Sequence, residues 1–341
     1  MPIRVATVRA ADVPATQTDF PVYVDLGRVG ATALTLADAN SSRWYTDTDL
    51  VTQMAREIVS LTEGHGKYGT LTSTSKVAID YDGIRADYAV TDTFGRNNVW
   101  TGFRAVYHLN DLVDSTGNGY TLTNNNSVTM NATGKLGGAA DFTSGNTNKS
   151  LSVANDVGIS TTAYTIDLWV NKYSVTAYGQ GTYTINASTN RRYYGFYEDS
   201  GGASHRFAHE GTSNTQFNVG TSWSNNTWHK LTQTFDNSSY FGYVNGALGS
   251  SRTSSGNTGG VTNTFRLGAH QGGTAVAALF WQGLIDEARV SSNTNSANWI
   301  TTEYNNQNAE STFWGTWTTF GGGGFTPTPL MHMRLMAGGM V

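Results

Sequence analysis

The sequence contains no cysteine, only five prolines and few charges: 21 Lys plus Arg and 25 Asp plus Glu make up 13% of 341 residues. Without cysteine there is no disulfide framework, thiolate metal site or thiol nucleophile, so robustness must come from packing, metal or assembly. The prolines (Pro2, Pro14, Pro21, Pro327 and Pro329) leave about three hundred central residues without any. Turns there must be made by Gly, Asn, Asp and Ser, which tolerate left-handed backbone. So low a charge content disfavours helical bundles and coiled coils, and a net charge of −4 provides no field for polyphosphate, which argues against a nucleic-acid partner. No apolar run approaches the ~20 residues that span a bilayer, and the N-terminal stretch, with two arginines and an aspartate in its first dozen residues, shows no secretory signal.

What is abundant is glycine (39) and aromatic side chains (9 Trp, 17 Tyr and 14 Phe), enough bulky apolar surface to drive collapse. Period-two alternation recurs at Val22, Val24 and Leu26; at Val77, Ile79 and Tyr81; at Tyr164, Ile166, Leu168 and Val170; and at Phe241 and Tyr243 before the hairpin dipeptide Asn245-Gly246. Such runs between Gly/Asn clusters predict an all-β protein, an antiparallel sandwich or barrel. Helices are expected at Asp47 to Glu57 and at Ser296 to Asn305, where Ser296 serves as N-cap. Two units and a tail are expected: 1–104, a β-rich unit; 105–307, a sandwich; and 308–341, a four-glycine linker (Gly321 to Gly324) with an apolar segment, Leu330 to Val341, that should dock on its own chain or on another.

From residue 105 the chain resembles the concanavalin A-like, laminin G-type jelly roll of bacterial and phage proteins. The motifs that carry the resemblance are AVYHLND, DSTGNGYTL (Asp114 to Leu122), GKLGGAADF (Gly134 to Phe142), AYTIDLWV (Ala163 to Val170), TWHKLTQTFD (Thr227 to Asp236), YFGYVNGAL (Tyr240 to Leu248), FRLGA (Phe265 to Ala269), FWQGLIDEARV (Phe280 to Val290) and WITTEYNNQ (Trp299 to Gln307). Upstream, TDFPVYVDL (Thr18 to Leu26) and VAIDYDG (Val77 to Gly83) resemble the uncharacterised β-rich domain that often precedes such jelly rolls. Where those relatives carry a Trp-Val strand, this chain has GKYGTL. The resemblance implies a two-sheet antiparallel jelly roll, and Trp169, in an alternating strand, is expected to fill the space between the sheets.

Enzymatic signatures are missing. Glycan cleavage needs two carboxylates about 5 to 10 Å apart, and none of the seven glutamates starts the Glu-x-Asp-x-x-Glu pattern that jelly-roll glucanases carry. The strands of jelly-roll alginate lyases, the Gly-x-Ser-x-Gly elbow and His-x-x-x-His are absent as well; His205 and His209 in HRFAH fall on a strand, about 13 Å apart. The loop Asp111 to Gly119 gathers oxygen donors suited to calcium, and the resemblance implies that a structural Ca2+ would use Asp111, Asp114 and Asn118 with Asp286 of the Ile-Asp-Glu strand. Against this, Asp114 could simply form an Asx turn, with Asp286 or Glu287 pairing to Arg289. For a glycan ligand, the loops 189–202 and 220–228 offer Arg192, Tyr194, Tyr197, Trp223, Asn225 and Asn226, aromatic faces beside amide and cationic groups.

The expected function is a non-enzymatic virion protein, a phage tail fibre, spike or capsid appendage that attaches to host-surface glycan and neighbours other virion subunits, as a homo-oligomer. A purely structural virion decoration protein, or a carbohydrate-binding module of an exported bacterial surface protein, are the alternatives, the last of them placed at the cell surface.

Overall fold

The computed structural model describes residues 3–143, 148–160, 162–173, 180–186, 191–198, 204–210, 214–221, 224–253, 264–271 and 277–320. The described residues form four sheets, and nearly all of their pairings are antiparallel. Two of them form the sandwich. One runs Thr129–Thr133, Gly138–Asp141, Gly283–Ser291, Tyr164–Lys172, Trp228–Phe235, Ser239–Val244, Ala247–Thr253, with Phe103–Tyr107 also pairing along Gly283–Ser291. The facing sheet runs Asn214–Thr221, Ser204–Glu210, Arg191–Glu198, Gln180–Asn186, Thr264–Leu267, Ser150–Val153, Thr123–Asn125. Between them lies a continuous core in which Tyr164, Ile166, Leu168 and Val170 meet Leu231, Phe235, Tyr183 and Phe265.

The strand Tyr164–Lys172 is buried along its whole length, so both of its faces are covered. This corrects the expectation for Trp169. Because alternate residues face opposite ways, the even-numbered set fills the sandwich and Trp169 points outward. There it is fully buried among Tyr23 and Leu136, stacks on Tyr304 at 5.8 Å and donates from Nε1 to Gln307 Oε1 at 2.7 Å. The covering layer is the helix Ala297–Asn308 together with the first unit. Ser296 is its N-cap, accepting from the Trp299 amide at 3.2 Å, as the sequence predicts. The Asn245-Gly246 turn likewise closes its hairpin, with both residues at positive φ (52° and 77°).

The first unit has a five-stranded sheet, Thr318–Phe320, Ile3–Thr7, Lys76–Asp80, Arg43–Tyr45, Gln53–Met54, and a three-stranded one, Gln17–Val24, Glu63–Leu71, Arg56–Ser60. No helix forms over Asp47 to Glu57. The Asp47 and Asp49 carboxylates bond the amides of Thr48 (2.6 Å) and Val51 (3.0 Å), local turns that compete with helix, and the segment continues as the strands Gln53–Met54 and Arg56–Ser60. The boundary at 308 also moves. Phe313, Trp314 and Trp317 enter the first unit's core, and Thr318–Phe320 pairs with Ile3–Val5, so the chain rejoins its own beginning as far as residue 320. The tail segment Leu330 to Val341 lies outside the described residues.

Glycine decides the layout of the strand Glu63–Leu71. Cβ atoms at Gly64 and Gly66 would stand 3.0 and 2.7 Å from the Trp44 ring, so these positions leave room for the indole on one face and turn Glu63 and His65 to the other, toward the sandwich. Among the described residues no helix is long and apolar enough to cross a membrane.

Candidate functional site

The seam between the two units holds two features, an open cleft and a buried polar cluster. The cleft has a volume of about 490 Å³ and is lined by Thr16, Gln17, Thr18 and Asp19 of the first unit, Thr101 to Phe103 of the connection, and Ser291, Asn293 to Ser296 and Trp299 where the sandwich leads into the covering helix. Its walls are hydroxyl and amide groups. The nearly buried rings of Phe103 and Trp299, 6.5 Å apart, form part of its lining, and Phe20 buttresses Trp299 at 5.0 Å. The buried Asn295 Nδ2 has no hydrogen-bond partner among the described residues. Beyond Gly102 a second hollow of about 410 Å³ continues along the seam past Asn97, Arg104 and Asn118, and the Asn97 Oδ1 there is likewise unpartnered among the described residues. Among the described lining residues of the main cleft the one carboxylate is Asp19, paired with Lys67 at 3.0 Å.

Beneath the seam, Glu63 and His65 meet His108 and Glu287, all essentially inaccessible to solvent. His65 Nε2 lies 3.0 Å from Glu63 Oε1, and His108 Nδ1 lies 2.9 Å from the same oxygen and bonds Glu287 Oε1. One ligating atom from each of the four falls within 4.8 Å of the others. Glu287 reaches this position through backbone strain. It has φ of 52° inside the strand Gly283–Ser291, where the pairing with Tyr164–Lys172 shifts register between Asp167 and Trp169. This bulge keeps Ile285, Ala288 and Val290 in the sandwich core while both Asp286 and Glu287 face the seam.

Burial, then repulsion from Glu287, holds the Glu63 carboxyl well above the usual carboxylate range, and burial pushes His65 well below the ordinary imidazole value. Burial opposes charge on His108 too, but Glu287, Glu57 and Glu63 outweigh it and raise its pKa. Arg289 anchors Glu287 and donates to Glu303 Oε1 at 2.8 Å. Glu303 in turn meets Lys230 at 3.1 Å, and Lys230 bonds Asp167 at 2.6 Å and Gln307 at 2.9 Å. This buried network faces the helix Ala297–Asn308.

The four residues expected to bind calcium are placed differently. Asp114 is buried, and its carboxylate accepts from the amides of Val106, Thr116 and Tyr120 and the Thr116 hydroxyl, an Asx turn that ties down its own loop. Asn118 donates to the Phe103 and Arg104 carbonyls, and Asp111 Oδ1 accepts from the Val113 amide. Asp286 Oδ2 accepts the Lys135 and Leu136 amides at 2.7 and 3.0 Å; burial, then Glu287, pushes its carboxyl up to about 8. Asp111, Asp114 and Asp286 do not converge at metal-ligating distance. Of the expected glycan contacts, Asn225 and Asn226 are exposed beside the end of Tyr164–Lys172, where the Asn226 amide bonds the Lys172 carbonyl at 2.6 Å. Arg192, Tyr194 and Tyr197 sit on the strand Arg191–Glu198, their side chains outside the described residues, as is Trp223.

The sequence reading missed Glu63, His65, His108 and Glu287. The one local signal was Glu63-Gly64-His65, an i, i+2 pair that a strand presents on one face.

Residues 143–301 match the family model of the concanavalin A-like lectin/glucanases superfamily. The sandwich is a concanavalin A-like jelly roll. No curated protein matches the chain at a significant level. Among solved structures, domain 4 of AbnA, a GH43 extracellular arabinanase from Geobacillus stearothermophilus in complex with arabinotriose, is 21% identical with a TM-score of 0.47, covering 58% of this chain and 96% of that one. The binding domain of Paraclostridial mosquitocidal protein 1 is 14% identical (TM-score 0.48; 63% of this chain, 55% of that one). A structure of botulinum neurotoxin type C, whose cell entry is described as dependent on two ganglioside molecules, is 15% identical (TM-score 0.48; 62% and 52%). The chain thus spans about half the length of each toxin chain it matches.

Proposed function

We propose that the protein is a glycan-binding, non-catalytic attachment protein whose ligand lies in the seam cleft. The observation that carries this reading is the cleft's lining: hydroxyls and amides from three segments, among them Thr16, Gln17, Thr18, Asn293 and Asn295, converge around the nearly buried rings of Phe103 and Trp299. Sugars match such a surface with hydroxyls for the polar groups and C–H faces for the rings. A single carboxylate, Asp19, engaged with Lys67, does not supply the acid and base pair of a glycosidase. The setting we infer is a subunit displayed on a virion, with the cysteine-free sandwich turned outward and the segment beyond residue 320 holding a neighbouring copy.

A glycan array probed with the full chain tests the reading. Asn293→Ala and Asn295→Ala should each weaken binding of an array hit about tenfold, in keeping with the loss of one or two hydrogen bonds. If Trp223→Ala abolishes binding while the cleft variants bind normally, the ligand sits on the loop 220–228 instead. An array without hits at high protein concentration would overturn glycan binding altogether.

A further inference from the structure

The cluster under the seam has a donor set, a second layer and a charge balance that nothing in glycan binding requires. Its four side chains offer two imidazole nitrogens and two carboxylates, one of each type from either unit. In a tetrahedral site with metal–ligand bonds near 2.0–2.1 Å, neighbouring donors stand about 3.3 Å apart. Here His108 Nδ1 and Glu63 Oε1 are separated by 2.9 Å, His65 Nε2 and Glu63 Oε1 by 3.0 Å, and His65 Nε2 and Glu287 Oε2 by 3.9 Å, distances that bracket that edge.

The surroundings are ordered as a ligand's supports are. His108 uses its remote nitrogen, Nε2, to donate to Glu57 Oε2 at 3.1 Å, which fixes the ring with Nδ1 aimed into the cluster. Glu57 is itself held by the Trp100 indole at 2.5 Å and the Ser115 hydroxyl at 2.7 Å. Carboxylate–histidine pairs of this kind orient metal ligands and raise their basicity. Arg289 plays the same part for Glu287. Glu63 Oε2, fully buried, has no hydrogen-bond partner among the described residues. Charge points the same way: Glu57, Glu63, Asp286 and Glu287 are buried together, and the permanent cation against them, Arg289, is shared with Glu303. Buried carboxylates in such excess require protons or a cation.

We propose that Glu63, His65, His108 and Glu287 bind one divalent transition-metal ion of the zinc type, which fastens the first unit to the jelly roll. Nitrogen donors and four-fold closure favour zinc over calcium, which takes six to eight oxygens. All four coordination positions come from the protein and the site is closed to solvent, so the ion is structural and not a hydrolytic centre. The strained bulge at Glu287 and the bare glycines Gly64 and Gly66 are the backbone devices that bring the two halves of the site together.

The test is metal content. Wild-type chain made in zinc-supplemented medium and purified without chelators should carry about one equivalent of transition metal per chain, and refolding in chelator should lower the melting temperature, restored on refolding with Zn2+ but not with Ca2+. Refolding with Co2+ should give the visible absorption of a four-coordinate ion. Folded Glu63→Gln or His65→Gln chains, checked by circular dichroism, should lose the metal; a folded variant that retains its full equivalent overturns the assignment. Should neither variant fold, the wild-type measurements decide. Well-folded wild type with less than about a tenth of an equivalent, no Co2+ spectrum and no response to Zn2+ on refolding would mean that protons alone neutralise the cluster.

Discussion

At the scale of the residue, parity and burial carry the consequences. Trp169 lies on the outer face of its strand, so its indole joins the sandwich to the helix Ala297–Asn308, and its loss would open a cavity on the seam side. Trp169→Ala should cost about 3–5 kcal/mol, read from denaturant unfolding; Trp169→Phe, which keeps the stacking and loses the Gln307 bond, should cost markedly less. A different residue, His205, contributes to acid sensitivity within the jelly roll. Burial, with His229 as a further cause, lowers the His205 imidazole to about 3, whereas in the unfolded chain it titrates near 6.5. The unfolded state therefore binds the extra proton first, and the stability contributed by neutral His205 is fully present above about pH 6.5 and lost as the pH falls toward about 3. His205→Gln should flatten that part of the pH dependence of the melting temperature; an unchanged slope would assign the acid response to other groups.

At the scale of the element, caps and glycines set where strands and helices lie. Removing the Ser296 hydroxyl with Ser296→Ala should destabilise the helix that covers the buried network by about 1 kcal/mol. The turn Gly134 to Gly137, which feeds the seam, has no room for a methyl group at either end. A Cβ at Gly137 would fall 2.1 Å from Glu63 Oε2, and one at Gly134 would fall 2.6 Å from Asp286 Oδ2. The Gly-Lys-Leu-Gly-Gly run, Gly134 to Gly138, thus lets the turn approach two buried carboxylates. Gly137→Ala should lower the melting temperature by more than Gly69→Ala, whose Cβ meets nothing within 4 Å; equal effects would show that the close approach relaxes without cost.

At the scale of the whole molecule, the chain closes on itself. Phe313, Trp314 and Trp317 complete the first unit's core, so a chain ending at 308 should aggregate or unfold at a markedly lower temperature, whereas one ending at 320 should melt like the intact protein. If the segment beyond the four glycines holds a neighbouring subunit, the second truncation should also be monomeric by light scattering while it retains any glycan binding. Unchanged assembly in that truncation would remove the tail from the contact.

The sequence by itself determined what is local. Alternation fixed the strands Gln17–Val24, Lys76–Asp80, Tyr164–Lys172 and Ser239–Val244, Ser296 fixed the start of its helix, and Asn245-Gly246 fixed a hairpin, because side-chain period, capping and left-handed tolerance act within a few residues. Resemblance over the later motifs gave the jelly roll. Tertiary structure decided which face each residue presents and which distant groups meet. Asp47 to Glu57 became strands because neighbouring sheets offered pairing that its own Asx turns did not oppose, and Trp169 went outward because its even-numbered neighbours took the core. Glu57, Glu63 and His65 are aligned by pairing within one sheet, and His108 and Glu287 by pairing within another, between segments up to about two hundred residues apart; the two sets meet where those sheets pack at the seam, helped by a one-residue bulge that reverses the alternation at Glu287. A reading that advances two residues at a time places that carboxylate in the sandwich core; the bulge alone turns it to the seam.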